Sequence, residues 1–249
     1  MEGSNVTRPL PARIRLGLPL LGAVALALLL SVALPATGLD YVIVHPAILA
    51  GLSWGALLFY VANAVETAGR PAGLANFVTM VRGALYAVVA GFVVVSPTPV
   101  LAWIPTVAYG TGAALDKLDG TLARTVGRET AVGERLDMAF DTFGFVAAPL
   151  LAVVWGQLPV WYLSLSAARY VYRAGTGYRR RQGRPVYDLP DDDLSKYLAG
   201  VQMGFLTAAL APIVPTEIVF GVAPLVLAPS LAVFARDFLV VTGRLGRSR

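Results

Sequence analysis

Cysteine, histidine and charged residues are scarce or absent in this sequence. No cysteine is present, which excludes disulfides and thiolate chemistry. His45 is the only histidine, and the topology derived below places it in an outer loop, which excludes histidine chemistry from the candidate site. Charged residues make up 14% of the chain, against about 25% in an average soluble domain. A soluble globular protein is therefore excluded as well.

Apolar residues are abundant instead. They make up 57% of the sequence, and the mean hydropathy is +0.68, which together indicate an all-α polytopic membrane protein. A chain of 249 residues has room for about eight spans of roughly 20 residues each. The net charge of +5 then indicates membrane orientation and anionic lipids as partners, not nucleic acid. The predicted spans lie near residues 17–34, 46–65, 79–96, 100–119, 136–156, 159–176, 194–212 and 216–238.

The distribution of lysine and arginine predicts the topology. If both termini are cytoplasmic, the outer loops are approximately 35–45, 97–100, 157–159 and 212–216, and none contains a basic residue. All 20 basic residues then fall in inner segments or at inner helix ends, as the positive-inside rule requires. A cleaved signal peptide is the competing interpretation of the first apolar run. We expect a retained span, because that orientation suits the whole chain.

Four aspartates mark the candidate site: Asp116, Asp119, Asp137 and Asp141. Apolar sequence precedes and follows them, so two membrane helices carry them, and ionisable residues in such helices indicate a functional site. Positions three and four apart share a helix face. Each pair therefore lies on one face, and a short connection lets the two helices run antiparallel with the pairs opposed at the cytoplasmic membrane edge.

Carboxylates in this arrangement indicate a hard divalent cation, which is Mg²⁺, Mn²⁺ or Ca²⁺ rather than zinc. Two such ions bridged by the carboxylates could clamp a phosphoryl group during in-line displacement. Gly120 and Ala123 lie on the face of the first pair and leave the backbone accessible to a substrate. Arg124 adds a planar fork suited to phosphate oxygens.

The stretch 116–141 resembles the signature of the CDP-alcohol phosphotransferase family, and its eight informative positions match with the same spacing. The resemblance implies a membrane enzyme that transfers the phosphatidyl group of a CDP-linked lipid to an alcohol and releases CMP. It implies two divalent ions, Mg²⁺ or Mn²⁺ with Ca²⁺ able to take their place, and a homodimer. By the same resemblance the metal ligands are Asp116, Asp119, Asp137 and in part Asp141, the catalytic base is Asp141, and the contacts to CDP are Gly120, Ala123, Arg124 and Gly133.

A second match supports the register of the first. Asn76, Thr79 and Arg82 reproduce an Asn-x-x-Thr-x-x-Arg pattern common at the start of the family's first core helix. The resemblance implies that Asn76 and Thr79 also contact the CDP moiety. The chain then divides into residues 1–69, a cytoplasmic tail with two additional transmembrane helices, and residues 70–249, a catalytic core of six transmembrane helices.

Basic residues after the aspartates predict how the acceptor alcohol is bound. Arg169, Arg173, Lys196 and Arg236 approach the expected cavity and are candidates for binding a phosphate on the acceptor. Arginines 179, 180, 181 and 184 are expected in a loop that contacts anionic membrane lipids. The run 195–203, which contains Lys196 and a Gln-Met pair, and the run 235–244 resemble phosphatidylglycerophosphate synthases, although Ser195 departs from their pattern.

The acceptor therefore stays open among several alcohols. Glycerol 3-phosphate is the first expectation, inositol phosphate the second, and serine or another polar alcohol the third, because the last group gives the basic residues no partner. The lipid donor is CDP-diacylglycerol or CDP-archaeol, since an apolar groove does not distinguish acyl from ether chains. The non-enzyme alternatives are a divalent-cation transporter and an inactive membrane scaffold, but the outer halves of the core spans are almost wholly apolar and no signature residue is missing.

Overall fold

The computed structural model describes the backbone of residues 12–34, 40–41, 44–68, 74–126, 131–187 and 193–245. These residues form eight α-helices and contain no β-strand beyond an isolated bridge between Tyr41 and Val95. The predicted all-α class is confirmed. The helices are α1 (Ala12–Ala33), α2 (Pro46–Ala68), α3 (Leu74–Gly91), α4 (Trp103–Val126), α5 (Ala131–Val154), α6 (Ser164–Arg181), α7 (Asp193–Leu210) and α8 (Thr216–Val241).

Several of these helices are suited to a membrane. Among the described residues α1, α2, α3, α5 and α8 each contain a stretch long and apolar enough to cross one. The chain is therefore a multi-pass membrane protein. The other helices, α4, α6 and α7, carry much of the charge near the candidate site. Eight complete spans and cytoplasmic termini stay predictions.

Helix α3 lies at the centre of the bundle and positions the site. It packs against α2, α4 and α5, while α7 packs against α4 and α8, and α6 packs against α8 and α5. The main core contains buried side chains from most of these helices, among them Tyr86, Tyr109, Leu151 and Leu206. Because α4 and α5 both contact α3, residues on their facing sides are brought to a common point.

Two glycines let α4 and α5 approach α3 closely. A Cβ atom at Gly112 would lie 2.5 Å from Cε1 of Tyr86, and one at Gly144 would lie 2.6 Å from Cε2 of the same ring. Any larger residue would push its helix away from the buried tyrosine. Tyr86 lies one helical turn after Arg82 on α3, so this close packing fixes the distance between the two aspartate-bearing helices next to the candidate site.

Helices α1 and α2 form a hairpin beside the core. A Cβ at Gly51 would lie 2.5 Å from the carbonyl oxygen of Ala23, and one at Gly55 would lie 2.9 Å from the Cβ of Ala23. The GxxxG spacing thus allows close contact between the two helices. On its other side α2 packs against α3 and α5, and the C-terminal part of α1 reaches the main core through Leu30.

One prediction about the basic region is wrong. The arginines 179, 180 and 181 do not lie in a loop but form the last turn of α6. The helix ends only where Gly183 adopts a φ of +65°, a conformation that glycine tolerates. Falling hydropathy marks the end of an apolar span, whereas the backbone hydrogen bonds of the helix continue into the polar region.

Candidate active site

Three of the four aspartates converge between α4 and α5. Asp116 lies on α4, and Asp137 and Asp141 lie one turn apart on α5. Each can offer one carboxylate oxygen such that the three oxygens lie within 4.8 Å of one another. Helices α4 and α5 therefore place these carboxylates close enough to share a small cation.

The buried guanidinium of Arg82 lies among these carboxylates. The Arg82 side chain is 0% exposed and donates hydrogen bonds to Asp116 and Asp137. Its Nη2 also lies 3.2 Å from Oδ1 of Asp141. A buried arginine is unfavourable unless anions compensate it. The three carboxylates provide that compensation, and the arginine in turn reduces their mutual repulsion.

The donor set fits a hard divalent cation. Three carboxylates face a single guanidinium, so the cluster keeps a negative surplus that one further cation would neutralise. Oδ1 of Asp141 is buried, and its contact with Arg82 lacks hydrogen-bond geometry, so within the described residues this oxygen has no hydrogen-bond partner. The Asp137 side chain is 46% exposed, which opens the cluster to an entering ion.

Several predicted site residues lie at the C-terminal end of α4. The backbone of α4 continues as a helix to Val126, so Asp119 follows Asp116 after three residues on the same helix. The side chains of Asp119, Gly120, Ala123 and Arg124 lie outside the described residues. Their roles as a metal ligand and as contacts to CDP stay predictions.

The remaining predicted contacts to CDP lie on α3 and α5, close in sequence to the cluster. Asn76 and Thr79 are both buried and precede Arg82 on α3 at intervals of three residues. Gly133 lies on α5 one turn before Asp137. The three positions thus lie between the carboxylate cluster and the N-terminal ends of α3 and α5. The nucleotide headgroup is expected to lie at those helix ends.

A cavity of about 300 Å³, here called the acceptor cavity, lies beside the carboxylates between α5, α6, α7 and α8. Thr142, the neighbour of Asp141, lies in its wall together with Arg169 and Arg173. Gln202 and Ser230 line it as well, joined by a hydrogen bond of 2.9 Å from Nε2 of Gln202. The cavity therefore combines two arginines, one carboxylate (Asp237) and neutral polar groups next to the carboxylate cluster.

Arg169 and Arg173 present positive charge to the acceptor cavity. The guanidinium carbon of Arg169 lies 4.0 Å from the ring centroid of Phe145, a cation–π contact, and among the described residues its buried Nε has no hydrogen-bond partner. Arg173 donates to Oγ1 of Thr142 at 3.4 Å and lies 3.1 Å from the sulfur of Met138. Neither arginine forms an ion pair within the described part of the chain.

The two other candidates for binding an acceptor phosphate lie at the edge of this region. Lys196 is in the first turn of α7, next to Ser195, which lines the cavity. Arg236 donates to Oδ1 of Asp237 at 2.8 and 3.0 Å. Asp237 lines the cavity, whereas Lys196 and Arg236 are not among the described lining residues. The structure thus brings Arg169 and Arg173 together with the aspartates, and the other two only near them.

Two features of the site were not assigned from the sequence. Arg82 is the third position of the Asn-x-x-Thr-x-x-Arg pattern, and the pattern alone assigns no role to it. Gln202 was noted within a short resemblance, but its bonds to Tyr162, Val226 and Ser230 were not foreseen. A signal was available in both cases, because a lone polar residue within an apolar helix needs a buried partner.

Comparisons with known proteins agree with this geometry. The family model for CDP-alcohol phosphatidyltransferase matches residues 72–244, which include the carboxylate cluster and the acceptor cavity. Neither a curated protein nor a solved structure matches the chain. The family match covers well over half of the sequence and begins just before α3. The chain belongs to the CDP-alcohol phosphatidyltransferase family.

Proposed function

We propose that this protein transfers a phosphatidyl group from a CDP-linked lipid to glycerol 3-phosphate and releases CMP, at the cytoplasmic face of the cell membrane. The observation that carries the proposal is a cluster of three carboxylates beside a cavity with two arginines that lack ion-pair partners among the described residues. Transfer from a CDP-linked lipid to an alcohol is the activity of the family. The identity of the acceptor is our inference.

Asp141 serves as the base in this reaction. It accepts the proton of the acceptor hydroxyl, and the freed oxygen attacks the phosphorus of the phosphatidyl group. A new P–O bond forms while the P–O bond to CMP breaks, and CMP leaves with the electron pair. The position of Asp141 supports this role, because the next residue, Thr142, lines the acceptor cavity and Oδ1 of Asp141 accepts no hydrogen bond within the described residues, although it pairs with Nη2 of Arg82 at 3.2 Å.

Asp116, Asp119, Asp137 and in part Asp141 would hold two divalent ions. Bound Mg²⁺ or Mn²⁺ would neutralise the diphosphate of the donor and stabilise CMP as a leaving group. Arg82 keeps the described carboxylates of this set in place through direct contacts. Fixed charges of this kind aid phosphoryl transfer mainly by positioning and electrostatic stabilisation.

The acceptor cavity favours an acceptor that carries a phosphate. Arg169 is held against the ring of Phe145, so little conformational freedom is lost when it binds an anion. Arg173 donates a hydrogen bond to Thr142, the residue that follows the proposed base Asp141 in sequence. A phosphate bound between the two arginines would leave the hydroxyl end of glycerol 3-phosphate free to reach Asp141. Serine would give neither arginine a phosphate to bind.

Two wider features belong to the same proposal. The absence of basic residues from the expected outer loops supports a carboxylate end that faces the cytoplasm. Membership of the family supports a homodimer, and anionic lipids are expected around the basic end of α6. Size measurement of the purified protein in a lipid disc tests the dimer independently of activity.

The test is CMP release by the purified protein with CDP-diacylglycerol and Mg²⁺, measured with glycerol 3-phosphate, inositol phosphate and serine in parallel reactions. We expect CMP only with glycerol 3-phosphate, together with a lipid product that carries both phosphates. A parallel reaction with CDP-archaeol distinguishes acyl from ether donors. Release with inositol phosphate or serine alone would keep the reaction and overturn the acceptor. No release with any acceptor would favour an inactive scaffold.

A further inference from the structure

A second cavity lies on the outside of the bundle, between α2, α5 and α6. It has a volume of about 440 Å³ and is here called the α2 groove. Helix α2 contributes Ser53, Ala56 and Tyr60 to its wall, and α6 contributes Tyr170 and Arg173. One wall therefore comes from the N-terminal hairpin, which lies before the region that matches the family at residues 72–244.

The wall of the α2 groove contains exposed residues on membrane-spanning stretches of the chain. Ala56 is exposed, and Tyr60 and Tyr170 are 42% and 54% exposed. The wall residues on α2 and α5 fall in stretches long and apolar enough to cross a membrane, which is the composition of a surface that faces lipid chains. Tyrosines are common where hydrocarbon meets lipid headgroups. The wall of the groove is thus mainly apolar, with a few polar side chains such as those of Ser53, Tyr60 and Tyr170.

At one end the α2 groove meets the acceptor cavity. Thr142 and Arg173 line both spaces, and Nη1 of Arg173 donates to Oγ1 of Thr142 at 3.4 Å. Thr142 directly follows Asp141, the proposed base. A molecule in the groove could therefore reach Thr142 and Arg173 at the boundary with the acceptor cavity, whereas the carboxylates themselves do not line the groove.

We propose that the α2 groove binds one hydrocarbon chain of the lipid donor, with Arg173 contacting the donor phosphate. This inference rests on the proposed function. The transferred group must keep its chains in hydrocarbon while its phosphorus reaches Asp141, and the groove leads from exposed α2 and α6 residues to Arg173 and Thr142, the neighbour of Asp141 in sequence. The guanidinium of Arg173 complements the negative phosphate. Arg173 lines both the groove and the acceptor cavity. Its guanidinium could therefore contact a donor phosphate that lies in the groove and an acceptor phosphate that lies in the cavity.

The packing of α2 makes it a fixed wall for such a chain. The rings of Trp54 and Phe140 lie 6.3 Å apart, and Leu57 belongs to a buried cluster with Leu136 and Phe140. On its opposite side α2 is held by α1 at Gly51. The hairpin therefore gains a role that the family region alone does not supply, because it forms one side of the lipid site.

The first test fills the groove without touching the carboxylates. Ala56→Trp places an indole at an exposed position in the groove, and Ala25→Trp places the same indole on the exposed surface of α1 as a matched control. We expect Ala56→Trp to lower kcat/KM for long-chain CDP-diacylglycerol by about tenfold, the effect of roughly 1.4 kcal/mol. A water-soluble short-chain donor should be converted equally by both variants. Equal values of kcat/KM for the two variants with the long-chain donor would overturn the proposal.

The second test does not depend on activity. The chain has no cysteine, so Ser53→Cys introduces a unique thiol in the groove, and Ser31→Cys introduces one on the exposed face of α1 as a control. In lipid discs, long-chain CDP-diacylglycerol should slow maleimide labelling at position 53 several-fold and leave position 31 unchanged. Unchanged labelling at both positions would contradict a bound chain.

The two tests separate the groove from the transfer reaction. If the wild-type protein releases no CMP but CDP-diacylglycerol protects the thiol at position 53, the proposed function fails and the lipid groove stands. If Ser53→Cys instead yields a disulfide-linked dimer under mild oxidation, a second copy of the chain covers the groove. That result would overturn the assignment to a lipid chain.

Discussion

The carboxylate cluster and the acceptor cavity differ in how their charges are met. In the cluster, Asp116, Asp137 and Asp141 share the single guanidinium of Arg82, so they are paired within the chain but keep a negative surplus for a metal ion. In the cavity, the described residues provide no ion-pair partner for Arg169 or Arg173. The first region is therefore held together by internal ion pairs, and the second is prepared for an anion from outside. The two regions adjoin each other, because Asp141 belongs to the cluster and its neighbour in sequence, Thr142, lines the cavity.

The largest expected effect comes from removing the base. Asp141→Asn keeps the shape of the side chain but loses its ability to accept a proton, so CMP release should fall about a thousandfold, within the range of general-base catalysis. Binding of CDP-diacylglycerol, measured by protection of the thiol introduced by Ser53→Cys, should change little. Full activity in Asp141→Asn would remove this residue from the role of base.

Loss of Arg82 should break the internal ion pairs of the cluster. Arg82→Gln leaves three carboxylates close together without the buried cation, and breaking such a pair lowers the free energy of unfolding by about 3–5 kcal/mol. The Tm of the purified protein in detergent should fall accordingly. Mg²⁺ should restore part of the loss, because it replaces the missing positive charge.

The control for this effect is Arg82→Lys, which keeps the charge but not the planar fork that reaches several carboxylates. We expect its Tm to lie between those of the wild type and Arg82→Gln. A Tm for Arg82→Gln that equals the wild-type value would show that the ion pairs contribute nothing to stability.

A smaller and more selective effect is expected in the acceptor cavity. Arg169→Gln removes a charge-assisted bond to the acceptor phosphate, worth about 1.5–3 kcal/mol, so KM for glycerol 3-phosphate should rise about 10- to 100-fold. KM for the lipid donor should stay the same. Arg181→Gln, at the exposed end of α6, serves as the control. An equal change in both variants would point to general electrostatic attraction instead of a site.

The smallest effect is expected at the edge of the cavity. The guanidinium of Arg236 already bonds Asp237 at 2.8 and 3.0 Å. Arg236→Gln should therefore raise KM for glycerol 3-phosphate by only about twofold, the size of an exposed ion-pair effect. A rise as large as that of Arg169→Gln would place Arg236 in direct contact with the acceptor.

The spacing of the aspartates was sufficient to predict much of this arrangement. Intervals of three and four residues on two adjacent helices predict paired carboxylates that face each other, and the structure brings Asp116 together with Asp137 and Asp141. The all-α class and the membrane character follow from hydropathy in the same way. These properties depend on sequence neighbours or on the period of a single helix.

The features that were missed depend on contacts between distant helices. Arg82 is 34 residues from Asp116 and 55 from Asp137, and the pattern on α3 does not show which helices pack against it. The α2 groove likewise arises where three helices leave space between them. The end of α6 differs from the prediction for another reason. Hydropathy predicts where an apolar span ends, whereas the hydrogen-bonded helix continues through the polar residues to Arg181.

Binding of Mn²⁺ tests the central contrast most directly. Purified wild-type protein, Asp137→Asn and Arg169→Gln are titrated with Mn²⁺, and free ion is measured by electron paramagnetic resonance. We predict saturable binding to the wild type, at least tenfold weaker binding to Asp137→Asn because a carboxylate ligand is lost, and unchanged binding to Arg169→Gln. Equal binding to wild type and Asp137→Asn would contradict a metal site at the carboxylate cluster.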